Sequence, residues 1–168
     1  MQNLEAKFRL DNLELARERA EAIGFGLRGL LVQRDTFFNV HHGKLKLREQ
    51  SDGASLIYYW RDRVEGLDVS NYQIVSVPNP QAMLEVLRSA LGSLDEVSKR
   101  RILLLRRNIR LHLDQVEGLG QFGEIEAVVD PGASADAYRS EVADILDALG
   151  IRAADLIRAS YFELMRQR

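Results

Sequence analysis

Cysteine is absent from the 168 residues, which excludes disulfides, thiolate zinc sites and cysteine nucleophiles and fits a reducing interior. The cytoplasm is therefore the expected location. No uninterrupted apolar run reaches the ~20 residues of a membrane helix, and the N-terminus carries no signal-like apolar stretch. The expectation is a soluble protein without a membrane partner. Neither sign of charge dominates: 23 Lys and Arg stand against 25 Asp and Glu, a net charge of −2, which argues against a general nucleic-acid binder. Internal repeats and low-complexity segments are also lacking. Any charge-driven function must then come from local clustering. The 46% hydrophobic content is ample for a core in one domain of this length.

Alternation is the strongest pattern present. Leu4, Ala6, Phe8 and Leu10 share one face of an extended segment, with Asn3, Glu5, Lys7 and Arg9 on the other. Asp11 or Asn12 can cap a helix that runs to about Ile23 and stops at Gly24. A long strand follows over 26–40, then a His41-His42-Gly43 turn and the alternating Lys44-Leu45-Lys46-Leu47-Arg48. Residues 56–61 form another strand, with Ile57, Tyr59 and Arg61 on one side. Residues 62–69 read as a loop, residues 72–77 as a short strand, and 81–91 as a helix ended by Gly92. A long strand over 94–107 places Lys99 and Arg101 on one face. Helices are expected from Ser134 or Asp136 to about Leu149, and from Ala153 to Met165.

The segment from Asp114 to Glu126 is a hairpin, Asp114-Gln115-Val116-Glu117-Gly118-Leu119-Gly120-Gln121-Phe122-Gly123-Glu124-Ile125-Glu126. Arg110, His112 and Asp114 share a face before the turn, and Glu124 and Glu126 share one after it. Two acids at i and i+2 can converge on a hard cation that bridges phosphate oxygens. Solvated acids on a half-exposed strand give the same pattern.

Six strands alternate charge with apolar residues, and this many long strands tend to curl and close. Closure with charge inward gives a polar tunnel suited to a polyphosphate, whose oxygens fixed cations neutralise. Closure with charge outward gives an ordinary apolar barrel. Periodicity does not distinguish the two.

The ordered motifs Leu4-Glu5-Ala6-Lys7, Asp35-Thr36-Phe37-Phe38, Leu45-Lys46-Leu47-Arg48, Ile57-Tyr58-Tyr59-Trp60-Arg61, Lys99-Arg100-Arg101 and the Asp114–Glu126 hairpin resemble the CYTH superfamily of triphosphate tunnel metalloenzymes. That superfamily includes class IV adenylate cyclases, thiamine triphosphatases and inorganic tripolyphosphatases. The resemblance implies an α+β fold: a closed eight-stranded antiparallel β-barrel with helices packed outside. One tunnel domain is expected over 1–168, its core at about 3–130 and its C-terminal helices at about 134–168. By motif, the resemblance marks Glu5, Glu124 and Glu126 as ligands of Mg²⁺ or Mn²⁺. It marks Lys7, Lys46, Arg48, Arg61, Lys99, Arg101 and Arg110 as phosphate contacts, and Lys7, Arg48 and Asp114 as catalytic. Two positions depart from the family pattern: Asn3 stands where a glutamate is usual, and Phe37 where a tyrosine is common.

The implied activity is cyclisation of ATP or hydrolysis of an organic or inorganic triphosphate, with ATP, thiamine triphosphate and tripolyphosphate as candidate substrates. Asn3 and Phe37 motivate a second reading, a triphosphate- or polyphosphate-binding module without turnover. The terminal Tyr161-Phe162-Glu163-Leu164-Met165 motivates a third, a surface for homodimerisation or a protein partner.

Overall fold

The computed structural model describes residues 1–64 and 67–167. Eight strands form the barrel: β1 (Gln2–Arg9), β2 (Gly26–Phe38), β3 (Lys44–Gln50), β4 (Gly53–Val64), β5 (Leu67–Ser76), β6 (Ser93–Arg106), β7 (Ile109–Val116) and β8 (Gly120–Val128). They close in the order β1-β5-β4-β3-β2-β6-β7-β8, and β8 returns to β1. Every pairing is antiparallel. Four helices accompany them: α1 (Leu13–Ala22), α2 (Pro80–Leu91), α3 (Arg139–Leu149) and α4 (Tyr161–Arg166).

Local chemistry explains the helix starts. The Asn12 side chain accepts from the Leu15 amide and begins α1, and Asn79 does the same for Ala82 ahead of Pro80, whose missing N–H costs nothing in a first turn. Gly150, with φ 75°, ends α3 in the left-handed conformation that glycine adopts without strain.

The helices settle which face lies inside. Leu4, Phe8, Leu111, Leu113 and Ile125 point outward and are buried under Ala16 and Ala20 of α1 and Val142, Ile145 and Leu149 of α3. Each fully buried Leu, Ile or Phe in this layer contributes about 1.5–3 kcal/mol. Gly123 makes room for the Phe8 ring, which a Cβ there would overlap. On the opposite side, α2 sets Leu84 against Phe38, Leu47 and Val77. Apolar surface thus goes outward under helices, and the charged rows turn inward. Among the described residues no helix is long and apolar enough to cross a membrane.

Two expected elements differ. Residues 62–64 and 67–69, read as loop, extend β4 and β5, because β5 pairs with β4 on one side and with β1 on the other, Leu4 facing Val69 and Glu5 facing Asp68. Residues 65–66 lie outside the described residues. The expected helix over 153–165 splits into a 3₁₀ turn at Ala153–Asp155 and α4. Between them the chain is captured by β1: Leu156 bridges to Phe8, and the Ile157 amide donates to the Lys7 carbonyl at 2.7 Å. Ser160 and Glu163 then form a capping box that starts α4.

Candidate active site in the barrel lumen

The inward positions line a cavity of about 330 Å³, at the lower end of the range for small-molecule sites. All seven cations marked in the sequence line it: Lys7, Lys46, Arg48, Arg61, Lys99, Arg101 and Arg110. Four acids, Glu5, Asp35, Glu124 and Glu126, join them. The wall is therefore net basic in a chain whose overall charge is −2.

Cross-strand pairing builds this lining. Residues directly opposite on antiparallel strands stand close enough to interact, and four such pairs here are cation on acid. Lys7 faces Glu124, with Nζ 2.8 Å from Oε1. Arg48 faces Asp35, donating to both oxygens at 2.7 Å. Arg101 faces Asp114 in the same two-pronged way, also at 2.7 Å. Arg110 faces Glu126, with Nε 3.0 Å from Oε2.

Asp35 is the hub on one side. Besides Arg48, it accepts from Lys46 at 2.9 Å and from Lys99 at 3.4 Å. Burial alone would raise its pKa, but the three cations outweigh burial and hold the carboxyl well below the usual range. The sequence reading used Asp35 only as part of a motif. An acid on the strand beside the Lys46–Arg48 row was the available signal. Replacing Asp35 with Asn is expected to lower the stability of the ligand-free protein by about 3 kcal/mol, since it keeps one accepting oxygen but removes the charge that balances three buried cations. The same change is expected to enlarge the thermal stabilisation given by tripolyphosphate, which supplies the missing negative charge. Melting curves with and without the anion check both signs.

Arg101 and Asp114 hold the other side. Asp114 is fully buried and lies behind the cavity wall, where Oδ2 accepts from the Tyr161 hydroxyl at 2.9 Å. Burial raises the Asp114 pKa, but the Arg101 guanidinium outweighs this and depresses it. Asp114, marked by the resemblance as catalytic, holds Arg101 and Tyr161 from behind the wall and does not itself line the cavity.

Glu124 is the junction of the acidic end. Lys7 sits on Oε1, Arg61 lies 3.6 Å from the same oxygen, and Arg101 lies 3.5 Å from Oε2. These cations overcome burial and hold its pKa well down. Glu5 is held by Arg61 Nη2 at 2.9 Å, yet burial lifts its carboxyl above the usual range. The compact group that can hold a metal ion, among the described residues, is His112, Glu124 and Glu126, with ligand atoms all within 4.8 Å. Glu5 faces Glu126 across β1 and β8 and lines the same cavity without joining that trio. Burial and then Arg101 push the His112 pKa down, which favours the neutral imidazole. Two carboxylates and a neutral imidazole form a donor set suited to a divalent cation. Asn3 accepts from Arg110 Nη2 at 3.1 Å through its amide oxygen and donates to the Gln2 carbonyl at 3.0 Å.

The terminal helix completes the site, a role the sequence did not reveal. Tyr161 and Phe162 are buried against the barrel, so these two rings of the segment read as a dimer or partner surface pack within the chain, while Leu164 and Met165 stay half-buried. Lys7 lies 4.5 Å from the Tyr161 ring centre, and Phe162 stacks on Phe37 at 5.0 Å. Lys44 donates to Ser160 Oγ at 2.9 Å and pairs with Glu163 at 2.8 Å. The Ser160-x-x-Glu163 box could have marked where α4 begins; nothing local shows which way Tyr161 points.

Two lysines give the lumen a pH dependence. Burial drives Lys99 down to about 7 and Lys46 to about 8, with Asp35 opposing in each case. In the ligand-free protein, the fold binds fewer protons than the unfolded chain between these values and the model-peptide value near 10.4, so their contribution to stability rises with pH across that window. A bound polyanion favours the ammonium form and has the opposite effect. Its affinity is greatest below pH 7 and falls as pH rises through the lysine pKa values of the complex. Binding of tripolyphosphate at pH 8 is therefore expected to take up protons. Calorimetric titrations in two buffers of different ionisation enthalpy measure that uptake.

Comparison with known proteins agrees with this architecture. A Methanocaldococcus jannaschii protein named provisionally as an adenylate cyclase is 25% identical over 173 residues, covering 98% of each chain. The solved structure of the PH1012 protein from Pyrococcus horikoshii superposes with a TM-score of 0.87 at 23% identity, over 96% of this chain and 98% of that one. A Hippeastrum protein, titled as a provisional adenylyl cyclase that reveals a dominant triphosphatase activity, superposes with a TM-score of 0.69 at 18% identity, over 98% of this chain and 95% of its own. The CYTH domain family matches residues 1–161, and with the closed barrel and its charged lumen in place, the chain belongs to the CYTH family.

Proposed function

We propose that the chain is a divalent-metal-dependent enzyme that acts on a triphosphate inside the barrel, and that residues 1–168 work as one domain in the cytoplasm. The observation that carries this reading is the convergence of seven cations on one cavity that also holds the His112, Glu124 and Glu126 cluster. Neutral metabolites have no use for such a wall, whereas the oxygens of a polyphosphate chain form charge-assisted hydrogen bonds with lysine and arginine.

Lys46, Arg48 and Lys99 bind one stretch of the phosphate chain, and Arg101, Arg61 and Lys7 bind the stretch nearer the carboxylates. Held on partners fixed by Asp35, Asp114 and Glu124, these groups need no reorganisation as charge develops on the transferring phosphoryl group. A bound Mg²⁺ or Mn²⁺ would supply Lewis-acid polarisation of phosphate oxygens and further neutralisation of charge. Two outcomes share this arrangement. Water attacking the terminal phosphorus breaks the bond to the bridging oxygen and releases orthophosphate; the ribose 3′-hydroxyl of ATP attacking the α-phosphorus releases pyrophosphate and cyclic AMP. The names of the M. jannaschii and Hippeastrum proteins span both.

Phosphorus NMR of the protein with Mg²⁺ or Mn²⁺ and, in parallel, ATP, thiamine triphosphate and tripolyphosphate separates them. Pyrophosphate with a cyclic nucleotide establishes a cyclase, and orthophosphate establishes a triphosphatase and names its substrate. Intact substrates with shifted lines would replace this reading with the binding module, for which the Asn3 amide, bonded to Arg110 where the family carries a carboxylate, is the structural motive.

A further inference from the structure

The geometry points to His112 as a direct nitrogen ligand of the bound cation, and hence to a first-row transition ion in preference to Mg²⁺. This rests on the metal-dependent reading above and changes its ligand set from carboxylates alone to two carboxylates and an imidazole.

His112 is 5% exposed, and its Nδ1 has no hydrogen-bond partner among the described residues. A buried polar atom left without a partner calls for an explanation. Nδ1 lies 3.8 Å from Oε2 of Glu124 and 3.7 Å from Oε1 of Glu126, beyond hydrogen-bond reach of either. The two carboxylates divide their oxygens in a telling way. Glu124 gives Oε1 to Lys7 at 2.8 Å, and Glu126 gives Oε2 to Arg110 at 3.0 Å. The oxygens turned toward the imidazole are the other two, and among the described residues the lysine or arginine paired with them is Arg101, whose Nη2 approaches Glu124 Oε2 at 3.5 Å. One nitrogen and two oxygens therefore face a common point in the cavity wall. These ligand atoms lie within 4.8 Å of one another, a spacing that modest side-chain rotation brings onto a common cation.

Ligand type then sets the metal class. Imidazole adds little for Mg²⁺ but favours first-row transition ions, whose affinities at a mixed nitrogen and oxygen site rise from Mn²⁺ to Co²⁺. The expected order is Co²⁺ over Mn²⁺ over Mg²⁺. Glu5, whose carboxylate Arg61 holds at 2.9 Å, is left to orient that arginine.

Pulsed EPR on the wild-type protein with one equivalent of Mn²⁺ tests the ligand, and competition by Co²⁺ and Mg²⁺ tests the preference. Expected is a ¹⁴N coupling from a coordinated imidazole, lost in His112→Asn while Mn²⁺ still binds. In that variant the ratio of Co²⁺ to Mg²⁺ affinity should drop by at least about tenfold. Mn²⁺ bound in a Glu124-dependent way without nitrogen coupling would overturn the assignment and leave the metal-dependent function standing. Failure of Mn²⁺ to bind at all would overturn both. The wild-type spectrum alone decides the ligand, so the test does not depend on the variant folding.

Discussion

Replacing Glu124 with Gln is expected to reduce turnover of the preferred triphosphate by about 10³-fold or more, the scale of losing a preorganised electrostatic group together with a metal ligand. The substitution keeps shape and removes one charge at the junction of Lys7, Arg61, Arg101 and His112. The fold should survive it. Arg61 keeps Glu5 at 2.9 Å and Arg101 keeps Asp114 at 2.7 Å, so only Lys7 loses its carboxylate partner, and it retains the Tyr161 ring. Steady-state product release measures the loss, and a melting curve close to wild type shows that it is chemical. Turnover within tenfold of wild type would mean that this carboxylate neither holds a metal nor orders Lys7.

The largest stability effect is expected at Asp114. Changing it to Ala leaves the Arg101 guanidinium, 6% exposed, on the longer 3.5 Å approach to Glu124 among the described residues, and leaves the Tyr161 hydroxyl without its acceptor. Removing one partner of a buried ion pair costs about 3–5 kcal/mol, and denaturant unfolding reads it directly. Asp114→Asn should cost about half as much, because the amide oxygen still accepts from both donors. The pH sign follows from the depressed pKa. The pair's contribution is present above the ordinary carboxylate range and is lost as pH falls through the folded-state value. A loss below about 1 kcal/mol for Asp114→Ala would show that Arg101 finds a substitute partner and that the pair does not organise this wall.

How much of this was legible in the sequence depends on range. Alternation in Leu4-Glu5-Ala6-Lys7 or Lys44-Leu45-Lys46-Leu47-Arg48 is local, and it correctly grouped every lumen cation on one face of its strand. Which face is inside is not local. It is decided by α1 and α3 covering Leu111, Leu113 and Ile125, and here the resemblance supplied what periodicity could not. Asp35 was quoted and left without a role because its meaning lies in Lys46, Arg48 and Lys99, brought to it by two neighbouring strands. Of the stretch read as loop, residues 62–64 pair locally with 67–69, but what fixes 68–69 in the sheet is β1, more than sixty residues away. Tyr161 was the hardest to see. Its hydroxyl reaches Asp114 only because Ile157 is tied to β1 and turns the chain back over the barrel, a contact that no window around residue 161 contains.

The central claim is that the charged lumen is where a triphosphate binds, and the most direct measurement is a crystal structure with imidotriphosphate, a hydrolysis-resistant analogue. The account predicts its phosphate groups inside the barrel, on Lys46, Arg48 and Lys99 at one end and on Lys7 and Arg101 at the other. Imidotriphosphate bound only on the outer face, or a lumen that stays closed to it at saturating concentration, would contradict the account.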